Sequence, residues 1–294
     1  KMSFVETLEQ GRFLLTTEEP MPRGSDLSTL LARSRRLTGV VDGINLTEAS
    51  AAVMAMSPIG AVPALIEQGH SPLLHVVCRD RNRIALQADV LAAAALGATT
   101  VVCMAGDPIE AGNQPGATAV DDLDTAGLLR ALARLSEGVD MTGHALHGTP
   151  ALCLGAVVNP GAEDVDHELA MMELKAEAGA RFFQTQAVYD PPAFERFMAR
   201  ADRFRVPVIA GFIVPRSAEM ARRMNRSVPG VRVPEEMIAR LEGATDKVRC
   251  AIELSAPVLS NLAQVAQGLH VIAVGWEEHL PALLAAAGVE RGVS

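Results

Sequence analysis

Polar side chains recur where short apolar segments of this chain end, and their types point to proton transfer. They include Glu18, His75, Asp107, Gln186 and Trp276, the only tryptophan. A carboxyl group can donate or accept a proton, whereas imidazole, amide and indole groups can orient a ring by hydrogen bonding and stacking. Together these side chains suit a large, flat ligand beside a carboxyl group placed for proton transfer.

Motifs for several other chemistries are missing from the sequence. It contains no HExxH helix motif for a metal and no GxSxG turn for a serine nucleophile. Only three residues are lysines, Lys1, Lys175 and Lys247, against 23 arginines. Because Schiff-base and pyridoxal-phosphate enzymes need a lysine amine, that chemistry is disfavoured, and we expect no metal at the site.

Each of these polar residues also has a structural interpretation. Glu18 and its neighbour Glu19 suit a solvated pair, and Asp107 suits the cap of a following helix. His75 and His270 lie in apolar strands, where a hydrogen-bonded core histidine is common, and the structural interpretation is favoured for His270. Trp276 fits a cap of the core as well as a ring-stacking residue. The residues alone leave these alternatives open.

The elements that must position these residues alternate regularly. Short apolar, β-branched segments predict strands at 13–18, 39–46, 71–78, 99–105, 151–158, 181–187, 206–213 and 269–275. Amphipathic segments between them predict helices at 26–36, 50–68, 82–96, 123–136, 163–178, 191–203, 217–225, 234–242, 245–266 and 277–288. Eight such units favour a (βα)8 TIM barrel, an α/β fold with its site at the carboxyl ends of the strands. A doubly wound sheet is the alternative, but the GxGxxG turn that would favour it is missing.

Composition limits the class of protein. The chain has 294 residues, of which 49% are hydrophobic, and a formal net charge of −9. We expect one domain over 1–294, with 1–11 as an N-terminal extension or helix. Without a basic block, nucleic acid is not an expected partner, and no segment predicts a signal peptide or a membrane span. Four cysteines without a CxxC motif predict free, mostly buried thiols and a cytoplasmic location.

From about residue 12 to 288 the chain resembles the methylenetetrahydrofolate reductase family, most of all its short bacterial members. The segments that carry the resemblance are TTEEPMPRG (16–24), INLTEA (44–49), RDRNRIALQADVLAAAALGATTVVCMAGDP (79–108), KAEAGARFFQTQAVYD (175–190), VPGVRVPEEM (228–237) and GLHVIAVGWEE (268–278). The resemblance implies a role in one-carbon metabolism and methionine biosynthesis. It also implies a homo-oligomer.

The resemblance implies a flavin bound at the mouth of the barrel, with FAD favoured over FMN. Family members pass a hydride from NADH or NADPH to the flavin, and then to 5,10-methylenetetrahydrofolate, which becomes 5-methyltetrahydrofolate. The catalytic residues fall on Glu18, the general acid that opens the five-membered ring, and on Asp107, near the flavin and the pterin. A carboxyl group with a raised pKa suits the role of Glu18.

The same resemblance implies the binding residues. Those for the cofactor are Thr47, His75, Gly106, Asp107, Asn159, Glu168 and Lys175, where Gly106 would let a flat ring approach the backbone. Those for the substrate are Asp107, Gln186 and Trp276.

Four positions depart from the family pattern, and at one of them Met224 or Asn225 aligns near an aromatic residue that the family has in the helix after the seventh strand. Ala105 stands where an arginine is frequent, Asn159 stands for a flavin-contacting tyrosine, and Trp276 stands for an arginine that helps to bind folate. The glutamate tail of the substrate must therefore be anchored differently. The alternatives that stay open are a reductase without flavin and a folate-binding subunit that takes electrons from a partner protein.

Overall fold

The computed structural model describes residues 2–289, in which eight parallel strands form a closed barrel. Each strand pairs with its neighbours in sequence, and the last returns to pair with the first. The strands are β1 (Leu14–Glu19), β2 (Gly43–Leu46), β3 (Pro72–Val77), β4 (Thr100–Met104), β5 (Cys153–Val158), β6 (Phe182–Ala187), β7 (Val208–Ile213) and β8 (Gly268–Ile272). The predicted (βα)8 barrel is confirmed, and every strand overlaps a predicted segment.

Helices cover the outside of the barrel and connect the strands. They are α1 (Phe4–Glu9), α2 (Ser28–Arg35), α3 (Val62–Glu67), α4 (Arg83–Ala95), α5 (Thr125–Ser136), α6 (Val165–Glu177), α7 (Pro191–Ala201), α8 (Ala218–Ser227), α9 (Glu235–Gly243), α10 (Lys247–Val265) and α11 (Leu280–Ala286). Among residues 2–289, none of them combines the length and apolar character needed to cross a bilayer.

The single helix predicted over 50–68 is wrong. Two isolated turns, Ser50–Ala52 and Pro58–Ala61, precede the short helix α3 in this segment. Pro58 begins the second turn and Pro63 lies in the first turn of α3. Because proline lacks an N–H group, it is tolerated at the start of a helix but not inside one, and the chain restarts twice instead of continuing.

The floor of the barrel is apolar and is closed by α1. Two side chains of α1 pack against the inward side chains at the amino ends of six strands; the cluster comprises Phe4, Leu8, Leu14, Leu73, Val102, Cys153, Phe182 and Ile209. The rings of Phe4 and Phe182 meet edge to face, with their centroids 5.0 Å apart. The N-terminal helix therefore completes the core at the end opposite the predicted site.

Candidate active site

A layer of hydrogen-bonded polar side chains crosses the barrel above this floor. Gln184 accepts a hydrogen bond from Asn45 Nδ2 (2.6 Å) and donates to Asn45 Oδ1 (3.1 Å) and Thr16 Oγ1 (3.3 Å). Asn45 Nδ2 also lies 2.9 Å from His75 Nε2, and Thr16 Oγ1 lies 2.9 Å from His270 Nδ1. All five side chains are buried. Because side chains alternate along a strand, the residues two positions beyond the floor face inward and meet in this layer.

Glu18 is the next inward residue of β1 and lies directly above the polar layer. Its side chain is 23% exposed, and its Oε2 is 3.8 Å from His270 Nε2. In the register of the barrel, Glu18 is the partner of Asn45, and Thr16 is the partner of His270. The hydroxyl of Thr16, the imidazole of His270 and the carboxyl of Glu18 therefore form a row that leads from the polar layer to the barrel mouth.

The electrostatics at Glu18 differ from the raised pKa that the sequence led us to expect. Burial raises the pKa of Glu18, but the interaction with the side chain of His270 lowers it, and the net direction is below the usual value. Burial lowers the pKa of His75 to about 4, so this ring is neutral at neutral pH. The free protein therefore holds Glu18 as a carboxylate. A ligand that covers it would exclude water and raise its pKa towards that of a useful acid.

The adjacent Glu19 has a different environment because it faces outward from the barrel. Its side chain is fully buried between β1 and α2, with Oε2 2.8 Å from Arg33. A second acid, Glu277, has its Oε2 3.9 Å from Nε of the same arginine. Burial and the charge of Glu277 raise the pKa of Glu19 to about 7, although Arg33 opposes the shift. Glu19 thus belongs to a buried ion cluster and not to the barrel mouth.

We expect Glu19 to make the stability of this protein depend on pH. A carboxyl whose pKa is raised on folding contributes stability below its unfolded pKa, and that contribution is lost as the pH rises through about 7. Replacing Glu19 by glutamine should remove this loss, which is worth up to about 3 kcal/mol. Unfolding by urea at pH 5 and pH 8 measures it. Identical pH dependence in Glu19→Gln and wild type would contradict the assignment.

Asp107 lies at the rim of the mouth and not over its centre. Its carboxylate accepts a hydrogen bond from the backbone N–H of Ala51 (2.7 Å), and its carbonyl accepts one from the buried side chain of Arg79 (2.7 Å). The preceding Gly106 has a φ of +102°, and a Cβ there would collide with the side chain of Val77. Glycine is therefore required at this position by backbone conformation and local packing.

A cavity of about 380 Å³ opens beside the Asp107 segment, between the loops that follow β2, β3 and β4. Met54, Met56 and Ile109 give it apolar walls. The arginines among its lining residues are paired with acids, Arg79 with Asp80 and Arg81 with Glu48 and Asp89. Because the charges of these arginines are already paired, the cavity suits an apolar ligand surface better than an anion. Within the described chain, no three or more His, Cys, Asp or Glu side chains are grouped to hold a metal.

The residues that the resemblance relates to the flavin near β5 are bonded within the protein. Glu168 accepts the backbone N–H of Asn159 (2.8 Å), and the buried Lys175 donates to the carbonyl of Val157 (2.8 Å). Burial lowers the pKa of Lys175, and the nearby Glu168 opposes the shift. The amide of Asn159 joins the carbonyl of Pro229 to the N–H of Gly161. Each of these side chains therefore makes at least one hydrogen bond within the protein, while Lys175 keeps further donors and Glu168 further acceptor sites.

The remaining predicted binding residues lie at other points of the mouth. His75 belongs to the polar layer described above, and Thr47 is buried at the end of β2. Gln186 lies within an irregularity in the pairing of β6 with β7, and its side chain accepts a hydrogen bond from the N–H of Ala187 (3.0 Å). Trp276 follows β8 and is half-buried. These residues surround the mouth, and within residues 2–289 His75 is the one of them that interacts with Glu18.

The sequence interpretation missed several residues of this site. Thr16, Asn45, Gln184 and His270 were not predicted as site residues, and Arg216 received no role. The guanidinium of Arg216 lies over the ring of Trp276, with Cζ 5.8 Å from its centroid. The signal that could have found the first four is their spacing, because polar residues recur at every second position in strands that are otherwise apolar.

Comparison with known proteins gives a family and a fold. The family model described as methylenetetrahydrofolate reductase matches residues 3–288. A solved structure described as an uncharacterized protein from Clostridium thermocellum that binds two copies of 5-methyl-5,6,7,8-tetrahydrofolic acid has a TM-score of 0.64 and 14% identity, over 96% of this chain and 97% of that chain. No curated protein matches the sequence.

Two further structures share the barrel. EDTA monooxygenase from Chelativorans sp. BNC1 has a TM-score of 0.57 and 12% identity, over 95% of this chain and 95% of that chain. Tryptophan synthase from M. tuberculosis has a TM-score of 0.55 and 16% identity, over 98% of this chain and 99% of that chain. At these identities the similarity concerns the fold alone.

Proposed function

Because the chain belongs to the methylenetetrahydrofolate reductase family, we propose that it reduces 5,10-methylenetetrahydrofolate to 5-methyltetrahydrofolate with NADH or NADPH as the electron donor. The observation that supports this most is Glu18, a carboxyl at the mouth of the barrel backed by His270 and Thr16. The substrate's methylene carbon accepts hydride only after one of its two C–N bonds has opened. An acid beside the pterin is what that opening requires.

The residues of the chain divide this work. Glu18 takes up a proton when the substrate covers it, and its Oε2 delivers that proton to the bridging nitrogen as the five-membered ring opens. The row of Thr16 and His270 orients the carboxyl and stabilises its charged form between turnovers. Asn45, Gln184 and His75 fix the base of the site, because each is held by another member of the polar layer. The iminium carbon that results then accepts the hydride, which comes ultimately from NADH or NADPH.

The resemblance favours FAD as a carrier between the nicotinamide and the folate. Asn159, Glu168 and Lys175 each make hydrogen bonds within the protein, and no step above depends on a flavin. The absorbance spectrum of the purified protein distinguishes the two routes. Visible flavin bands that survive gel filtration would support the flavoprotein route, and a colourless, active enzyme would support direct transfer from the nicotinamide.

The proposed activity is tested by oxidation of NADH or NADPH in the presence of 5,10-methylenetetrahydrofolate, with the product identified by mass spectrometry. Formation of 5-methyltetrahydrofolate that depends on both reactants is the expected result. The departures from the family pattern at Ala105 and Asn159 favour a second candidate, a folate-binding subunit supplied with electrons by a partner protein. Binding of 5-methyltetrahydrofolate without any oxidation of nicotinamide would favour that subunit over the complete reductase.

Asp107 is proposed to influence the hydride step through its charge. Asp107→Asn keeps an oxygen for the N–H of Ala51, whereas Asp107→Ala removes both the charge and this bond. We expect both variants to slow turnover by about tenfold, less than for a buried polar group at a reacting centre, because the side chain is exposed. Steady-state turnover of both variants with folate is the measurement. Normal turnover in Asp107→Asn with a defect in Asp107→Ala would make Asp107 a loop-positioning residue.

A further inference from the structure

Arg216 stands out at the mouth of the barrel as a cation without an anion. It follows β7 and lies half-buried beside β8, with its guanidinium over Trp276 and close to Gly275. Its Nε is buried and has no hydrogen-bond partner. Among residues 2–289, no carboxylate lies within ion-pair distance of it. Within the same residues, the terminal nitrogens Nη1 and Nη2 make no hydrogen bond either, and the contact with Trp276 leaves them as the donors that an anionic ligand at the mouth could reach.

The acidic residues that follow β8 and the serine that follows Arg216 have other partners. Glu277 accepts the N–H of Gly275 (2.7 Å) and lies 3.9 Å from Arg33, while Glu278 pairs with Arg36. Ser217, the residue after Arg216, turns its hydroxyl to the N–H of Met220 and caps α8. The acidic groups around the end of β8 are therefore paired with other residues, and the guanidinium of Arg216 remains free to bind a ligand.

We infer that Arg216 binds a carboxylate of the glutamate tail of the folate substrate, an inference that rests on the proposed function. With the pterin over Glu18, the p-aminobenzoyl group extends away from the barrel axis and carries the two carboxylates of the tail to the rim. A guanidinium can bind a carboxylate through two parallel hydrogen bonds, and in Arg216 these would come from Nη1 and Nη2, since Nε is buried. Trp276 holds the guanidinium in place from one side and offers a ring face towards the p-aminobenzoyl group.

This arrangement places the cationic group that anchors the carboxylate after β7, and not after β8 where the family has its arginine. The position after β8 is occupied by Trp276, which cannot bind a carboxylate through charge. Arg216 and Trp276 lie on adjacent strand ends and in contact, so the two side chains form one subsite. An arginine on one strand and a ring on the next thereby supply both the charge and the stacking surface.

The test compares 5-methyltetrahydrofolate with an analogue in which both glutamate carboxylates are primary amides. Dissociation constants are measured by calorimetry and by the fluorescence of Trp276, the only tryptophan of the chain. We expect Arg216→Gln to weaken folate binding by about 10- to 100-fold and to leave binding of the neutral analogue near that of wild type. Arg216→Lys keeps the charge without the planar fork and should be intermediate.

Arg222→Gln is the matched control, since Arg222 is an exposed arginine of α8 whose charge is paired with Glu242. Equal folate affinity in Arg216→Gln and wild type would overturn the inference while leaving the proposed function intact. An equal loss of affinity for folate and for the neutral analogue would also overturn it, because Arg216 would then support the fold of the site. A wild-type protein that binds neither compound would reject the proposed function and the anchor together.

Discussion

Replacing Glu18 by glutamine is expected to lower the rate of 5,10-methylenetetrahydrofolate reduction by about 10²–10⁴-fold, the usual contribution of a general acid. Glutamine keeps the size of the side chain but has no proton to give to the leaving nitrogen. Binding of 5-methyltetrahydrofolate should persist, because the polar layer beneath Glu18 and the rim around it are unchanged. The loss should therefore appear in kcat and not in the dissociation constant of the product.

The neighbouring position provides the control for this prediction. Glu19→Gln is the same chemical change one residue further along β1, on a side chain that faces outward and contacts Arg33. We expect turnover close to that of wild type in this variant, together with the altered pH dependence of stability described above. If Glu18→Gln turns over as fast as Glu19→Gln, the acid lies elsewhere and the assignment of β1 to catalysis fails.

Replacing Phe182 by alanine should cost about 3–5 kcal/mol of stability, the usual range for removing a large aromatic ring from a core. Phe182 is fully buried at the floor of the barrel, in contact with Phe4 of α1. The floor cannot collapse around the missing ring, because the surrounding side chains come from strands whose separation is fixed by the barrel. Unfolding by urea, monitored by circular dichroism, gives the change in free energy.

A phenylalanine outside the barrel provides the comparison. Phe204 is only partly buried on the outer surface, beside the guanidinium of Arg203 at 4.7 Å. Its replacement by alanine should cost about 1 kcal/mol or less. A loss below that of Phe204→Ala in the Phe182 variant would show that α1 and the floor contribute little to the stability of the barrel.

The fold was largely predictable, because its signals are local. Apolar β-branched segments gave the eight strands, and glycine and proline marked many of the boundaries between elements. The failure over 50–68 has a local cause too, since Pro58 and Pro63 interrupt a segment whose apolar period is otherwise helical. The closure of β8 onto β1 followed only from the number of repeated units and not from either strand alone.

The site was less predictable, because its geometry depends on register. Glu18 and Glu19 are neighbours in the sequence. Because successive side chains of a strand point to opposite faces, the barrel turns Glu18 to the mouth and Glu19 to the ion cluster with Arg33. His270 was interpreted as a structural histidine, and the structure joins it to Thr16 and brings it near Glu18. Such a pairing between strands distant in sequence leaves no trace in either segment alone. The same reason kept Arg216 and Trp276 from being recognised as neighbours.

The bond between Thr16 and His270 joins residues 254 positions apart, across the seam where β1 meets β8. Contacts of such high sequence separation form late, because the entropy of closing a long loop must be overcome first. A folding intermediate with most helices and strands in place but an open seam would therefore lack the support of Glu18. During refolding from urea, recovery of turnover should follow the slowest kinetic phase and lag behind the recovery of secondary structure.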